Sequence, residues 1–260
     1  MRGLIGYSGF VGQTLLKQAK FDAMYRSTDI SRINGKSFNL LVCAGAPAQK
    51  WRANKEPKAD QASIDTLISH LSSVQAERLV LISTVDVFAV PRDVSETSEV
   101  LHQDLQAYGL HRRKLERFVS DHFPKSLIIR LPGLVGPGLR KNVLFDFRNS
   151  NNLGAIDSRH AFQFYPMVNL WNDIGISLSA GLQLIHLTAE PVSVSDIAHE
   201  AFGFEFRNTL PGNPVRYDMQ SEFADLFGGR GKYQYGRRES LLAIRAYAQS
   251  EPRSVEGKAP

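Results

Sequence analysis

Apolar residues along this chain follow two rhythms. Short, mostly apolar runs recur at Leu4-Ile5, at 38–44, at 78–82 and at 127–131, and each reads as a buried strand. Between them apolar residues fall at helical spacing. Ile64, Leu67, Ile68 and Leu71 mark a helix over 57–74, and Leu115, Phe118 and Val119 mark another over 105–122. Leu15 and Leu16 belong to a first helix over 13–20. A short second strand is expected over 22–26, and the polar stretch 27–36 reads as a loop or one helical turn. Strands separated by helices imply an α/β fold, a doubly wound parallel sheet with helices on both faces.

After Pro132 the pattern changes. The run from Pro132 to Gly138 is loop, and so is 149–152. A strand is expected over 183–187. Ser193 and Asp196 have capping spacing ahead of a helix over 197–202. The expected organisation is a core over 1–136 and a mixed region over 137–247. Part of that region, about 164–203, rejoins the sheet, and the rest forms a smaller, partly interleaved lobe. From about Ala248 the chain is polar with two prolines, and a frayed tail over 248–260 is expected.

Composition narrows the class. The 260 residues are 43% hydrophobic and 22% charged, ordinary for a soluble globular protein. A single cysteine, Cys43, sits inside an apolar run. It excludes an internal disulfide and reads as a small core residue. The first strand begins near residue 2, leaving no room for a signal peptide, and no apolar run has the length of a membrane span. A cytoplasmic protein with no membrane partner is expected. The net charge of +5 gathers at His111-Arg-Arg-Lys114 with Arg117 and at Arg230–Arg238. Without a nucleic-acid motif these read as solvated faces, so no nucleic-acid partner is expected. The seven histidines lack metal-ligand spacing, and no metal site is expected.

The candidate chemistry begins at the first turn. Gly6, Gly9 and Gly12 stand three apart between a strand and a helix, with Tyr7, Ser8, Phe10 and Val11 filling the turn. In this setting the first glycine makes the tight turn. The second lets a pyrophosphate approach the backbone, and the third lets helix and strand pack closely. Phosphates would then meet the helix N-terminus. Twenty residues past Gly6, where turns of this kind that bind NAD carry an acid, stands Arg26, followed by Ser27 and Thr28. A cation with hydroxyls suits the 2′-phosphate of NADP. Asp29, three residues on, leaves NAD open.

Three further stretches follow in order: Ile82-Ser-Thr-Val-Asp-Val-Phe88, Tyr108-Gly-Leu-His-Arg-Arg-Lys-Leu-Glu116 and Arg130-Leu-Pro-Gly-Leu-Val-Gly-Pro-Gly138. With the glycine turn they resemble the extended short-chain dehydrogenase/reductase family of nucleotide-sugar epimerases, dehydratases and reductases. The resemblance covers residues 2–138 and continues more weakly to about 203. It implies a Rossmann-type sheet. It also implies that Thr84, with Ser83 beside it, holds a substrate oxygen, and that Tyr108 passes a proton there. Cofactor contacts are implied at Ala44, Gly45, Ala46, Ser83, Tyr108, Arg112, Leu131, Pro132 and Leu134.

One departure stands out. The family's lysine, one helical turn past the tyrosine, is Arg112 here. Arginine keeps a charge beside Tyr108 and can bond a ribose, but it does not release a proton at neutral pH. A lysine-dependent proton path is therefore missing at that position. A second departure lies at Thr84-Val85-Asp86, where family dehydratases carry Thr-Asp-Glu. One carboxylate remains, so two-acid elimination is not expected.

The stretch is nearer the sugar-nucleotide 4-ketoreductases. A reductase or an epimerase acting on a sugar nucleotide or similar polar substrate fits, with Thr84, Tyr108 and Arg112 as the catalytic group. Asp86, Arg140, Asn142, Gln163 and Tyr165 are candidate substrate contacts, and Trp171 is a further aromatic candidate. Relatives often pair through the tyrosine-bearing helix, so the resemblance leaves a homodimer open while the sequence itself is silent on assembly. The alternative is an NAD(P)-binding sensor or partner-binding subunit without turnover.

Overall fold

The computed structural model describes residues 1–253. They divide into two compact units. The first comprises Met1–Val90, Glu96–Leu131 and Asn169–His186. The second comprises Pro91–Ser95, Pro132–Val168 and the chain from Leu187 on.

The first unit is built on a six-stranded sheet. Its strands are β1 (Arg2–Ile5), β2 (Ala23–Tyr25), β3 (Ser37–Cys43), β4 (Gln75–Thr84), β5 (Ser126–Leu131) and β6 (Leu184–His186). They lie in the order β6-β5-β4-β3-β1-β2, and every pairing is parallel. Its helices are α1 (Phe10–Gln18), α2 (Lys50–Lys55), α3 (Pro57–Leu71), α4 (Ala107–His122) and α5 (Leu170–Ser179).

Alternation along the strands explains why the sheet needs cover on both faces. Ile5, Leu41, Cys43, Leu79 and Leu81 join Ile64, Leu67, Leu71, Leu115 and Val119 of α3 and α4 in one cluster. Their strand neighbours Leu4, Val42 and Val80 are equally buried on the other face. Burial pushes the Cys43 thiol up to about 11, as a core cysteine requires.

The returning stretch, Asn169–His186, is narrower than the expected 164–203. Between β2 and β3 the chain makes only a 3-10 turn, Ile30–Ile33. The helix α1 starts at Phe10, three residues before the expected 13, so Gly12 lies inside it. The helix α2 has no counterpart in the sequence reading.

In the second unit, Gly133–Val135 pairs in parallel with Phe164–Pro166. Ser193 caps Val194–Ile197 by accepting the Asp196 N–H at 3.1 Å. Among the described residues the last helix runs Arg237–Ser250, so the stretch expected to fray from Ala248 begins inside a helix. Leu241, Ile244 and Tyr247 are its buried face. The remainder of the expected tail, 254–260, lies outside the described residues. Among the described residues, no helix is long and apolar enough to cross a membrane.

Candidate active site

The glycine turn closes the C-terminal end of β1. Gly6 has φ +84°, and its N–H donates to the Tyr25 carbonyl at 2.8 Å. A Cβ there would lie 2.2 Å from the Ala44 carbonyl oxygen, and one at Gly12 would lie 2.1 Å from the Gly6 oxygen. Both glycines are thus demanded by the chain's own packing. Gly9 is different: its Cβ would meet only the Gly6 oxygen, at an ordinary 3.5 Å.

Gly9 is exposed and sits at the N-cap of α1, with no side-chain cap and no acid in the first turn. An open, uncapped helix start with bare backbone fits a phosphate. Ser8 beside it is exposed, and Tyr7, Phe10 and Val11 are half-buried. Ala44, Gly45 and Ala46, also half-buried, end the neighbouring strand β3. The sheet order reverses between β1 and β3, the place where open α/β sheets accept ligands. The residues present fit a dinucleotide.

Arg26, Ser27 and Thr28 are exposed past the end of β2. The Arg26 N–H donates to the Asp29 carboxylate at 2.7 Å, and Arg32 stands 3.9 Å from the same group. Asp29 is therefore engaged by its own loop.

At the end of β4 the polypeptide turns sharply through Val85–Val87. Thr84 caps this turn. Its hydroxyl accepts the Asp86 N–H at 3.2 Å and donates to the Asp86 carboxylate at 3.4 Å. Tyr108 arrives on the first turn of α4, close to the Thr84 hydroxyl. Gly109 permits this approach, since a Cβ there would lie 2.0 Å from the Asp86 carbonyl oxygen. Burial pushes the Tyr108 phenol above its ordinary value. Arg112, the Thr84 hydroxyl and Lys50 oppose that rise, while Asp86 adds to it.

The sequence reading missed Lys50. Its ammonium donates to the Asp86 carboxylate at 2.7 Å. The only sequence signal is position: Lys50 follows the loop after β3, on the edge where such sheets bind ligands.

Arg112 is buried, and its work is internal. Its four terminal N–H groups go to both oxygens of Asp60, one of them at 2.8 Å, and to the carbonyls of Pro47 and Tyr108. Only Nε is left without a partner. The guanidinium lies over the Tyr108 ring, 3.9 Å from its centroid. His111 bonds the same Asp60 carboxylate at 2.7 Å. His111 and Arg112 therefore depart from the expected solvated face. They are anchored in the core by Asp60 of α3, a partner the sequence reading also missed. Lys114 does lie at the surface, paired with Asp65.

Ser83 does not share the setting of Thr84. Strand alternation turns it the other way, where its buried hydroxyl donates to Glu116 at 2.6 Å. Glu116 has no exposed surface and is also bound by Arg130, at 3.0 and 2.8 Å, and by Arg113 at 2.9 Å. Leu131, at the end of β5, is buried opposite Thr84 in the ladder.

The other candidates divide by unit. In the first unit Trp171 packs against Phe21, its N–H bonds Gln18, and Arg2 lies over its ring. Arg2 begins β1, so Trp171 belongs to the opposite strand ends from the glycine turn.

In the second unit Gln163 is buried, and its amide is consumed by Thr188, Ala189 and Met219. Tyr165 has no exposed surface and packs edge-on to Tyr235. Both serve that unit's interior. Asn142 caps the helix Val143–Asn149 and bonds the Leu134 carbonyl. Arg140 is exposed, Pro132 is buried and Leu134 is half-buried. Among the described residues no cluster of three or more His, Cys, Asp or Glu could hold a metal.

No family model matches the chain, and no curated protein matches it by sequence. Solved structures do match in shape. A dTDP-4-dehydrorhamnose reductase from Clostridium acetobutylicum is 20% identical with a TM-score of 0.71, covering 95% of this chain and 98% of its own. A UDP-galactose 4-epimerase is 17% identical with a TM-score of 0.71, covering 95% and 97%. A dTDP-4-dehydrorhamnose reductase from Bacillus anthracis, solved with NADP, is 16% identical with a TM-score of 0.70, covering 95% and 96%. At these identities the likeness establishes the fold: the chain has the Rossmann-type architecture of these reductases and epimerases along nearly its whole length.

Proposed function

We propose that the chain is an NAD(P)-dependent reductase of a ketone on a sugar nucleotide or a similarly polar molecule. The observation that carries this is the state of Tyr108. Its phenol, set beside Thr84, is raised by burial above its ordinary value, so its base form is harder to reach than that of a free phenol. Reducing a ketone requires an acid at the carbonyl oxygen. Epimerisation by oxidation and re-reduction first requires a base there. A phenol kept protonated suits reduction better.

A nicotinamide dinucleotide held by the Gly6–Gly12 turn supplies the hydride. Thr84 and Tyr108 orient the carbonyl oxygen, and Tyr108 gives it a proton. Asp86 lies beside them for a substrate hydroxyl. The fold shared with two dTDP-4-dehydrorhamnose reductases supports a 4-keto sugar nucleotide as the substrate class. Exposed Arg26 with Ser27, beside an Asp29 already engaged, supports NADP over NAD.

Arg112 favours a second reading, a dinucleotide-binding sensor or partner-binding subunit without turnover. Its charge is spent on Asp60, and no lysine stands in its place. Two measurements separate the readings: binding of NADPH against NADH, and NADPH oxidation with dTDP-4-dehydrorhamnose. A reductase oxidises NADPH with that ketone or a related ketosugar. Tyr108→Phe then lowers turnover by about 10²–10⁴-fold with cofactor affinity nearly unchanged. Tight NADPH binding without hydride transfer to any ketosugar establishes the second reading.

A further inference from the structure

Five polar side chains of the first unit converge on one surface cavity. It has a volume of about 260 Å³, and Gln61, His102, Leu110, His111, Lys114 and Arg117 line it. Gln61 comes from α3, His102 from the loop before α4, and the other four from α4. The spacing of 110, 114 and 117 puts three of these residues on one outer face of α4, and His111 borders that face. The glycine turn, Thr84, Asp86 and Tyr108 contribute nothing to the lining.

We propose that this cavity binds a small phosphate monoester. Such binding needs neither the dinucleotide nor reductase activity. The donors that would hold the ligand are unspent. Among the described residues, the side chains of Gln61, His102 and Arg117 hold no hydrogen bond or ion pair. Lys114 is paired with Asp65, but an ammonium carries three N–H donors, so others remain.

His111 is the buried part of the site, only 6% exposed. Asp60 holds its Nδ1 at 2.7 Å, which leaves Nε2 for the cavity. Nε2 donates when the ring is protonated and accepts when it is neutral. A phosphate monoester meets either state, accepting through an oxygen or donating through its P–O–H.

The walls are fixed before a ligand arrives. Asp60 also grips Arg112, and so ties α3 to α4. Gln61 follows Asp60 in the chain and His111 precedes Arg112, so two lining residues stand next to the two ends of that clamp. Preformed walls lower the ordering cost of binding.

The donor set selects the class of anion. Donors from five side chains suit the three oxygens of a phosphate better than the two of a carboxylate. The guanidinium of Arg117 matches phosphate geometry, and Lys114 adds a point charge. Leu110, 39% exposed, offers an apolar wall to an organic group. Small-molecule sites usually span about 300–1,000 Å³, so the organic group is small.

The test uses the full chain at constant ionic strength, with phenyl phosphate as the probe and inorganic phosphate beside it. Calorimetry gives the affinities. NMR follows the imidazole signals, assigned with His102→Gln and His111→Gln. Phenyl phosphate is expected to bind more tightly than inorganic phosphate and to shift the His111 signals. Arg117→Ala removes an exposed side chain and is expected to weaken phenyl phosphate by about 10–100-fold. Gly9→Ala and saturating NADPH are expected to leave its affinity unchanged.

Equal affinity in wild type and Arg117→Ala overturns the site, and so does an unmoved His111 signal. Loss of phenyl phosphate binding in Gly9→Ala, or its displacement by NADPH, moves the probe to the glycine turn and overturns it as well. Inorganic phosphate binding as tightly as phenyl phosphate overturns the monoester. An unmoved His111 signal in a chain that sediments as a dimer gives this face to a second copy instead. A chain that reduces no ketosugar yet binds phenyl phosphate here loses only the reductase reading.

Discussion

The Arg112 guanidinium lies 3.9 Å from the centroid of the Tyr108 ring, one helical turn away on α4, and Asp60 clamps it there from α3. The pair is buried, so its members depend on each other. Asp60→Ala strands a guanidinium in the core and is expected to cost about 3–5 kcal/mol. Arg112→Lys cannot reproduce the two-pronged grip on Asp60 together with the Pro47 and Tyr108 carbonyl bonds. It is expected to cost about 1–3 kcal/mol despite restoring the lysine of the sequence pattern that the chain resembles. Urea unfolding measures both, and a loss under about 1 kcal/mol for Asp60→Ala would show that the clamp is decorative.

The same carboxylate sets a response to acid. Burial raises the Asp60 carboxyl, but the bonds and charges of Arg112 and His111 outweigh it, and the net displacement is downward. The folded chain thus holds this proton less tightly than the unfolded chain does. The resulting stabilisation is complete above the ordinary carboxylate value, about 3.9, and fades as pH falls through the folded value. Wild type should lose stability more steeply than Asp60→Asn below about pH 4. Parallel urea midpoints for the two proteins over that range would refute the assignment.

The three glycines of the first turn should separate on substitution. Gly12→Ala drives a methyl to 2.1 Å from the Gly6 oxygen, so the fold itself should weaken, by about 2 kcal/mol or more. Gly9→Ala meets nothing closer than 3.5 Å, so thermal unfolding should change little. NADPH binding should nevertheless fall at least about tenfold, because the methyl occupies the place of the phosphate. Unchanged NADPH affinity in Gly9→Ala would remove the phosphate from this turn.

Thr84 and Ser83 are neighbours with opposite expected roles. Thr84→Ala should cut turnover by about 10–100-fold while leaving stability almost intact. Ser83→Ala should cost about 1–2 kcal/mol through its lost bond to Glu116, with turnover of the folded protein retained. Comparing kcat with the unfolding midpoint of each variant checks the division. A catalytic loss confined to Ser83→Ala would reverse it.

Much of the sheet was legible because its central strands are buried on both faces and so appear as mostly apolar runs. The glycine turn was legible because local geometry fixes it. Elements whose burial is sparse were harder to see. The helix α2 buries only Ala53 among six residues, which leaves no periodicity to detect. The final helix opens with Arg237 and Arg238, which read as a charged surface stretch. Its buried Leu241, Ile244 and Tyr247 were the overlooked signal. The role of Arg112 could not be read locally, because its anchor Asp60 lies 52 residues earlier. Gln163 and Trp171 carried plausible chemistry by residue type, and only packing showed where that chemistry is spent.

The interleaving of the two units has a consequence for synthesis. Leu131 completes β5, but its outer partner β6 begins only at Leu184. During the synthesis of the intervening residues, the growing chain carries a parallel sheet with an open edge at β5, a form prone to pairing with other chains. The apolar cover supplied by α5 also arrives late, at Leu170–Ser179. The first unit therefore cannot complete itself in order of synthesis. Ribosome-bound chains too short to bring His186 clear of the exit tunnel should need a chaperone, and chains long enough to do so should release one.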